Sequence, residues 1–257
     1  RDLRMSRGLG DVYKRQEQKS VVAWLLLFAM VNTALHYLFS YVGLGYLPSS
    51  RSTILDSMNG FFAIILSCII FEDDKFSKFK ALGCILGFSG ILLINIEPGQ
   101  NFFQGISFRG DGMILLNAMC GAFGGIITRI ISKKMDMTVA TSLSMTIGGA
   151  FLCVVSAIIG PAARWTITTE SIIIMIGLIL ISAVCFGVYN QLLAYHPISK
   201  IAIFNAFIPI LGVIFSSIIL GEPMRVKYII AGCIVALGVY VICLLYTSDA
   251  ADEARSV

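Results

Sequence analysis

The chain has 257 residues, 57% of them hydrophobic and only 13% charged, with a mean hydropathy of +0.87. Water-soluble domains carry about 25% charged residues, so a soluble domain of any size is excluded and lipid is the natural solvent. The net charge of +4 is too small and too scattered to suggest a nucleic-acid partner, and the cysteines form no CxxC metal pair.

The two ends do not read as biological sequence. Residues 6–16, SRGLGDVYKRQ, and 243–253, CLLYTSDAADE, resemble in-frame translations of a sequencing-library adaptor. Residues 1–16 and 243–257 are therefore set aside as tails. That leaves a core of about 17–242 carrying a charge of +3.

A spanning helix needs about 20 mainly apolar residues. Eight stretches in chain order are expected to span: 21–45, 50–71, 79–95, 110–131, 138–160, 171–194, 199–220 and 227–246. The connections are short and polar. The longest, EPGQNFFQGISFRGDG at 97–112, has the composition of a linker between two halves. With the 72–80, 131–137 and 195–200 connections in the cytoplasm, seven basic residues lie at that side against five at the other. The positive-inside rule favours this orientation.

An internal echo organises the chain. GYLPSSRSTILD at 45–56 aligns with AYHPISKIAIFN at 194–205: Tyr46 with Tyr195, Pro48 with Pro197, Ser50 with Ser199, Arg51 with Lys200, Ile54 with Ile203, and Asp56 with Asn205. Each apolar helix then ends at a Glu, Glu72 or Glu222, and GCILG at 83–87 echoes GCIVA at 232–236. Helices one to three thus correspond to helices six to eight. A shift of five crossings is odd, so the second copy enters the membrane from the opposite side. Inverted repeats are a signature of secondary transporters, with the site near the midplane. The expected fold is an all-α membrane protein with eight transmembrane helices, from a ten-helix bundle of two inverted five-helix repeats. Residues 17–96 hold an incomplete first repeat of three helices, and 110–242 a second repeat of five.

The Tyr-x-Pro-x-Ser-Arg/Lys segment, the acidic residue closing the following helix and the Gly-rich helix after it resemble the drug/metabolite transporter superfamily, EamA type. The resemblance covers residues 20–242. It implies ten helices in two inverted halves, both termini cytoplasmic, and a central substrate cavity. This chain departs from the pattern by lacking the first two helices, and the motif does not specify what is carried.

Polar residues at membrane depth usually face a cavity or a partner helix. The leading candidates are Asp56 and its repeat equivalent Asn205, with Gly60 and Pro209 as hinge positions one turn later. Pro209 frees the carbonyl of Asn205. Asn59, Asn117, Tyr189, Asn190, His36 and Tyr41 complete the expected cavity set. Asn32, Tyr37 and Gln191 stand nearby in sequence. The plainer alternatives are a buried ion pair of Asp56 with Arg51 or Arg129, and belt or packing roles for the aromatics and His36. Ser50 and Ser199 are expected to cap helices two and seven, and Glu72 and Glu222 to end helices in the interface. Gly83/Gly87, Gly121/Gly125 and Gly232/Ala236 have the spacing of close helix packing.

Two rival readings stand beside a transporter. Gly87-Phe88-Ser89-Gly90 fits the GxSG of intramembrane serine proteases, but that chemistry needs an activating His, and only His36 and His196 exist. A non-transporting structural membrane protein is the other. The expected function is a non-enzymatic secondary transporter of small organic metabolites, with amino acids or their derivatives first on the resemblance alone. It sits in the inner or plasma membrane of a bacterium and uses no cofactor or metal. A small-molecule substrate and the lipid bilayer are its expected partners, and proton coupling and a homodimer are the further expectations.

Overall fold

The computed structural model describes residues 20–70, 77–95, 106–159, 168–196, 201 and 207–255. Among them every regular element is helical. We number the helices α1 Ser20–Leu44, α2 Ser49–Ile70, α3 Lys78–Asn95, α4 Phe108–Ile131, α5 Met137–Ile159, α6 Thr169–Tyr195, α7 Phe207–Leu220 and α8 Val226–Arg255. Helices satisfy every backbone polar group internally, which lipid demands.

Among the described residues these helices overlap the expected apolar stretches, but not all of them are of spanning length. Five helices (α1, α2, α4, α5 and α6) are long and apolar enough to cross a membrane, whereas the apolar parts of α3, α7 and α8 are shorter. The eighth stretch was expected to stop near residue 246. Instead α8 runs on to Arg255, because no Gly or Pro follows Gly238 to end it, although its apolar part stops at Val241.

The chain divides into two compact units, and the division runs through α1 and α4. The first comprises the chain up to Ala34 together with Ile127–Ala194. Its core is Leu25, Phe28, Ile127, Ile131, Met137 and Ala140. Thr33 and Ser144 share a buried hydrogen bond of 2.8 Å. Gly148 permits that approach, since a Cβ there would lie 2.7 Å from the Thr33 Cβ and 2.9 Å from the Ala29 carbonyl. Asp136 caps α5 by accepting from the Thr138 and Val139 N–H groups at 2.8 and 3.2 Å. The Val139 bond first, and those to Thr138, hold its carboxyl below the ordinary aspartate value.

The second unit comprises Leu35–Ile126 and the chain from Tyr195. Its core joins α2, α3, α4, α7 and α8 through Ile54, Leu55, Met58, Phe61, Ile94, Ile114, Val213 and Val235. The glycine pair Gly83/Gly87 packs within this unit. A Cβ on Gly238 would lie 2.7 Å from the Gly83 carbonyl and 3.0 Å from the Gly87 nitrogen, so α3 and α8 touch backbone to backbone. The Lys227 ammonium, at the start of α8, donates to the Ile94 carbonyl near the end of α3 at 3.3 Å. The two helices are therefore antiparallel. So are α2 and α7: Thr53 lies against Gly212, and the Glu222 carboxylate beyond the end of α7 meets the start of α2.

Helix irregularities cluster near polar residues. A π-helical stretch at Ala29–Leu35 carries the buried Asn32 and Thr33, and another opens α4 at Phe108–Gly112. Such widened turns recur at functional positions. Helix α2 is interrupted at Ser57, between Asp56 and Met58. There the Ser57 hydroxyl donates to the Ile54 carbonyl at 2.5 Å, and the Gly60 N–H reaches back to Ser57 at 3.3 Å.

Candidate substrate site

Helices α2 and α4 run parallel in the second unit and meet at three successive levels. At the first, Arg51 and Asp111 form an ion pair, with Nη2 2.7 Å and Nε 2.8 Å from the same Oδ1. The other Asp111 oxygen accepts from the Ser107 N–H at 2.8 Å, holding the π-helical start of α4. At the second level the Asn117 amide donates to Asp56 Oδ1 at 2.6 Å. At the third, Asn59 lies against Gly121, where a Cβ would come 2.5 Å from its amide nitrogen. Asp56 is the eighth residue of α2, so it sits about 11 Å along the helix at 1.5 Å per residue. That places a carboxylate and an amide well inside a helix long and apolar enough to span a membrane. The His36 ring of α1 faces the Asn117 backbone.

The start of α2 has an unusual cap. Ser50 was expected to cap it. Instead the helix begins at Ser49 behind Pro48 without a side-chain cap of its own. Glu222 supplies the acceptor: its carboxylate takes the Ser49 N–H at 2.7 Å, the Ser50 N–H at 3.0 Å and the Ser50 hydroxyl at 2.7 Å. Burial pushes the Glu222 pKa up, but the bonds from Ser50 and Ser49 outweigh it and hold the carboxyl below its ordinary value. Reading Glu222 as a simple helix end is thereby corrected. A helix N-terminus is electropositive and short of acceptors, so a carboxylate there is stabilising. Asp111, expected only as part of the linker between the two halves, instead pairs with Arg51. Its signal was Ser107 three residues before Gly110, with an acid following: the Ser107 hydroxyl accepts from the Gly110 N–H.

The expected cavity residues divide as follows. His36, Asp56, Asn59 and Asn117 lie together in the second unit. Gly60 is buried there one turn beyond Asp56, and Pro209 is buried on α7, its carbonyl 3.6 Å from where a Gly232 Cβ would stand. Tyr41 is 58% exposed and stacks on Tyr37 with ring centroids 5.9 Å apart, so it does not join the Asp56 group. In the first unit Asn190 is buried and donates to the Thr141 hydroxyl at 3.2 Å, beside a Gln191–Thr138 bond of 2.8 Å, and Tyr189 is half-buried. Asn205, Ser199, Lys200 and Glu72 lie outside the described residues. Arg51 pairs with Asp111, not with Asp56, and Asp56 has no ion-pair partner among the described residues. Ser89, the serine of the GxSG motif, donates its hydroxyl to the Leu86 carbonyl at 2.7 Å within its own helix.

Several helices long and apolar enough to cross a membrane, with a carboxylate–amide pair held between two of them, mark a multi-pass membrane protein. The chain matches the EamA-like transporter family model over residues 9–96 and 108–244, and it belongs to that family. It is 27% identical over 234 residues to the uncharacterized transporter YvbV of Bacillus subtilis, which covers 90% of this chain and 74% of the relative. It is 25% identical over 241 residues to the WAT1-related protein At3g02690, chloroplastic, of Arabidopsis thaliana, covering 90% of this chain and 58% of that protein. An uncharacterized transporter of Methanothermobacter thermautotrophicus is 23% identical over 224 residues, covering 85% of this chain and 63% of the relative. The chain thus spans less than two thirds of the latter two relatives. No solved structure matches it.

Proposed function

We propose that the chain belongs to a secondary active transporter of small organic metabolites in a bacterial inner membrane, working by alternating access around a central site. Amino acids or their derivatives are the first substrate class on family grounds. The observation that carries the reading is the Asp56–Asn117 bond of 2.6 Å, well inside two helices long and apolar enough to span. Ionisable groups at depth are costly and are typically kept for substrates or ions. The ten-helix, inverted-repeat reading gains support from the antiparallel pairs α2/α7 and α3/α8, whose sequences echo each other. Asp56, with His36 facing Asn117, is the proton-coupling position. Gly60 and Pro209 are the hinge positions, and Asn59 is the further candidate for contact with substrate among the described residues of the same unit.

The test is metabolite uptake and release by cells or proteoliposomes carrying the protein, with and without a proton gradient. Asp56→Asn should abolish gradient-driven accumulation while leaving the protein in the membrane. Unchanged coupling in that variant removes Asp56 from the role.

A further inference from the structure

Ser52, Asp56 and Gly60 fall at i, i+4 and i+8 on α2 and therefore share one stripe of the helix. Three observations converge on this stripe. First, the Asp56 carboxylate holds a neutral amide and has no cation beside it among the described residues, since Arg51 is taken by Asp111. Second, an ionised carboxylate only accepts hydrogen bonds, so Asn117 must turn its nitrogen to Asp56. Its amide oxygen is left buried without a partner among the described residues, on a side chain 3% exposed. The Ser52 hydroxyl oxygen, on a residue 4% exposed, is likewise buried and unpartnered. Third, Gly60 is buried, yet beyond its own helix backbone a Cβ there would meet no atom of the described residues within 4 Å. Open space thus lies one turn beyond the carboxylate.

We propose that the Asp56–Asn117 pair binds a protonated primary amine, so that the transported metabolite presents an ammonium group. This rests on the transporter reading above. A carboxylate and, on the amide bonded to it, an unpartnered oxygen call for a ligand rich in donors and positive in charge. An ammonium has three N–H donors and the charge. An alcohol has one donor and no charge, and a ligand carboxylate is repelled. The space beside Gly60 takes the first carbons of the amine's chain.

The test is equilibrium binding of radiolabelled n-butylamine to the purified protein at neutral pH, with 1-butanol, butyrate, methylamine and sodium chloride as competitors. The amines should compete, and butanol and butyrate should not. Asp56→Asn should weaken binding at least tenfold. Gly60→Ala has space for its methyl group and keeps the fold, so it decides the matter should the Asp56 variant misfold. It should keep methylamine affinity and lose butylamine affinity several-fold. Equal competition by butanol or butyrate, displacement by sodium ion alone, full binding by Asp56→Asn, or a Gly60→Ala variant indifferent to chain length would each overturn the proposal. Binding requires no transport. Amine binding without uptake of any metabolite sinks the transporter reading alone, and uptake of neutral or anionic metabolites without amine binding sinks the site alone.

Discussion

The carboxylate of Glu222 accepts both the backbone N–H and the hydroxyl of Ser50, joining the loop after α7 to the first turn of α2 across 172 residues of chain. Glu222→Ala leaves the Ser49 and Ser50 N–H groups without their acceptor. It should lower stability by about 1–2 kcal/mol, the range for losing a helix cap, read as a lower melting temperature in detergent. Glu222→Gln keeps an acceptor and should lose less. Because the folded carboxyl titrates below its ordinary value, this stabilisation is complete at neutral pH. It should fade as the pH falls below the ordinary glutamate range and through the folded value, and the Gln variant should not show that acid-dependent loss.

Arg51 and Asp111 present a different balance. The two side chains are 13% and 3% exposed, so breaking the pair is costly in so poorly solvated a place. Arg51→Ala or Asp111→Asn should cost about 3–5 kcal/mol, enough to reduce the folded yield in membranes. Exchanging the two residues, as Arg51→Asp with Asp111→Arg, should recover part of the loss. A double variant no better than the worse single one would show that Asp111 acts chiefly through the Ser107 N–H.

The backbone seam between α3 and α8 tolerates no added carbon. Gly238→Ala places a methyl group 2.7 Å from the Gly83 carbonyl, a rigid neighbour, so the helices must separate. The expected cost is about 1–3 kcal/mol. Gly149→Ala, where a Cβ meets no atom of the described residues within 4 Å beyond its own helix backbone, is the control and should be neutral. Thermal unfolding of the two variants in the same detergent checks both.

Within the first unit, Asn190→Leu removes the donor to Thr141 and leaves a buried hydroxyl unsatisfied. A loss of about 1–3 kcal/mol follows. Thr141→Val in the same chain should restore much of it, because both polar partners are then gone.

Hydropathy made the helices legible, since lipid imposes a length and a composition that few other segments share. The polar residues at depth were legible for the same reason: Asp56 and Asn117 stand out in apolar runs. Their pairing was not, because it depends on α2 and α4 running parallel, and no local pattern encodes which helices touch. Glu222 and Asp111 were misread or missed on the same ground. Each acts on a partner 60 or more residues away, and a carboxylate in a polar connection looks like any solvated charge. Tyr41 shows the converse: an aromatic on an apolar helix carries no mark of which way it faces.

The break at Ser57 gives α2 two mechanical parts. Before it, the helix is pinned by Glu222, Arg51 and Asp56. After it, Met58–Ile70 forms a rod of 13 residues, about 20 Å long at 1.5 Å per residue. Such a rod is a lever with its fulcrum beside the carboxylate. A swing of about 10° would carry its far tip about 3–4 Å, a displacement that follows from the rod length alone. Asp56 itself would stay in place, so on the proposed role of Asp56 the group that meets the ligand need not travel for the far end of α2 to move.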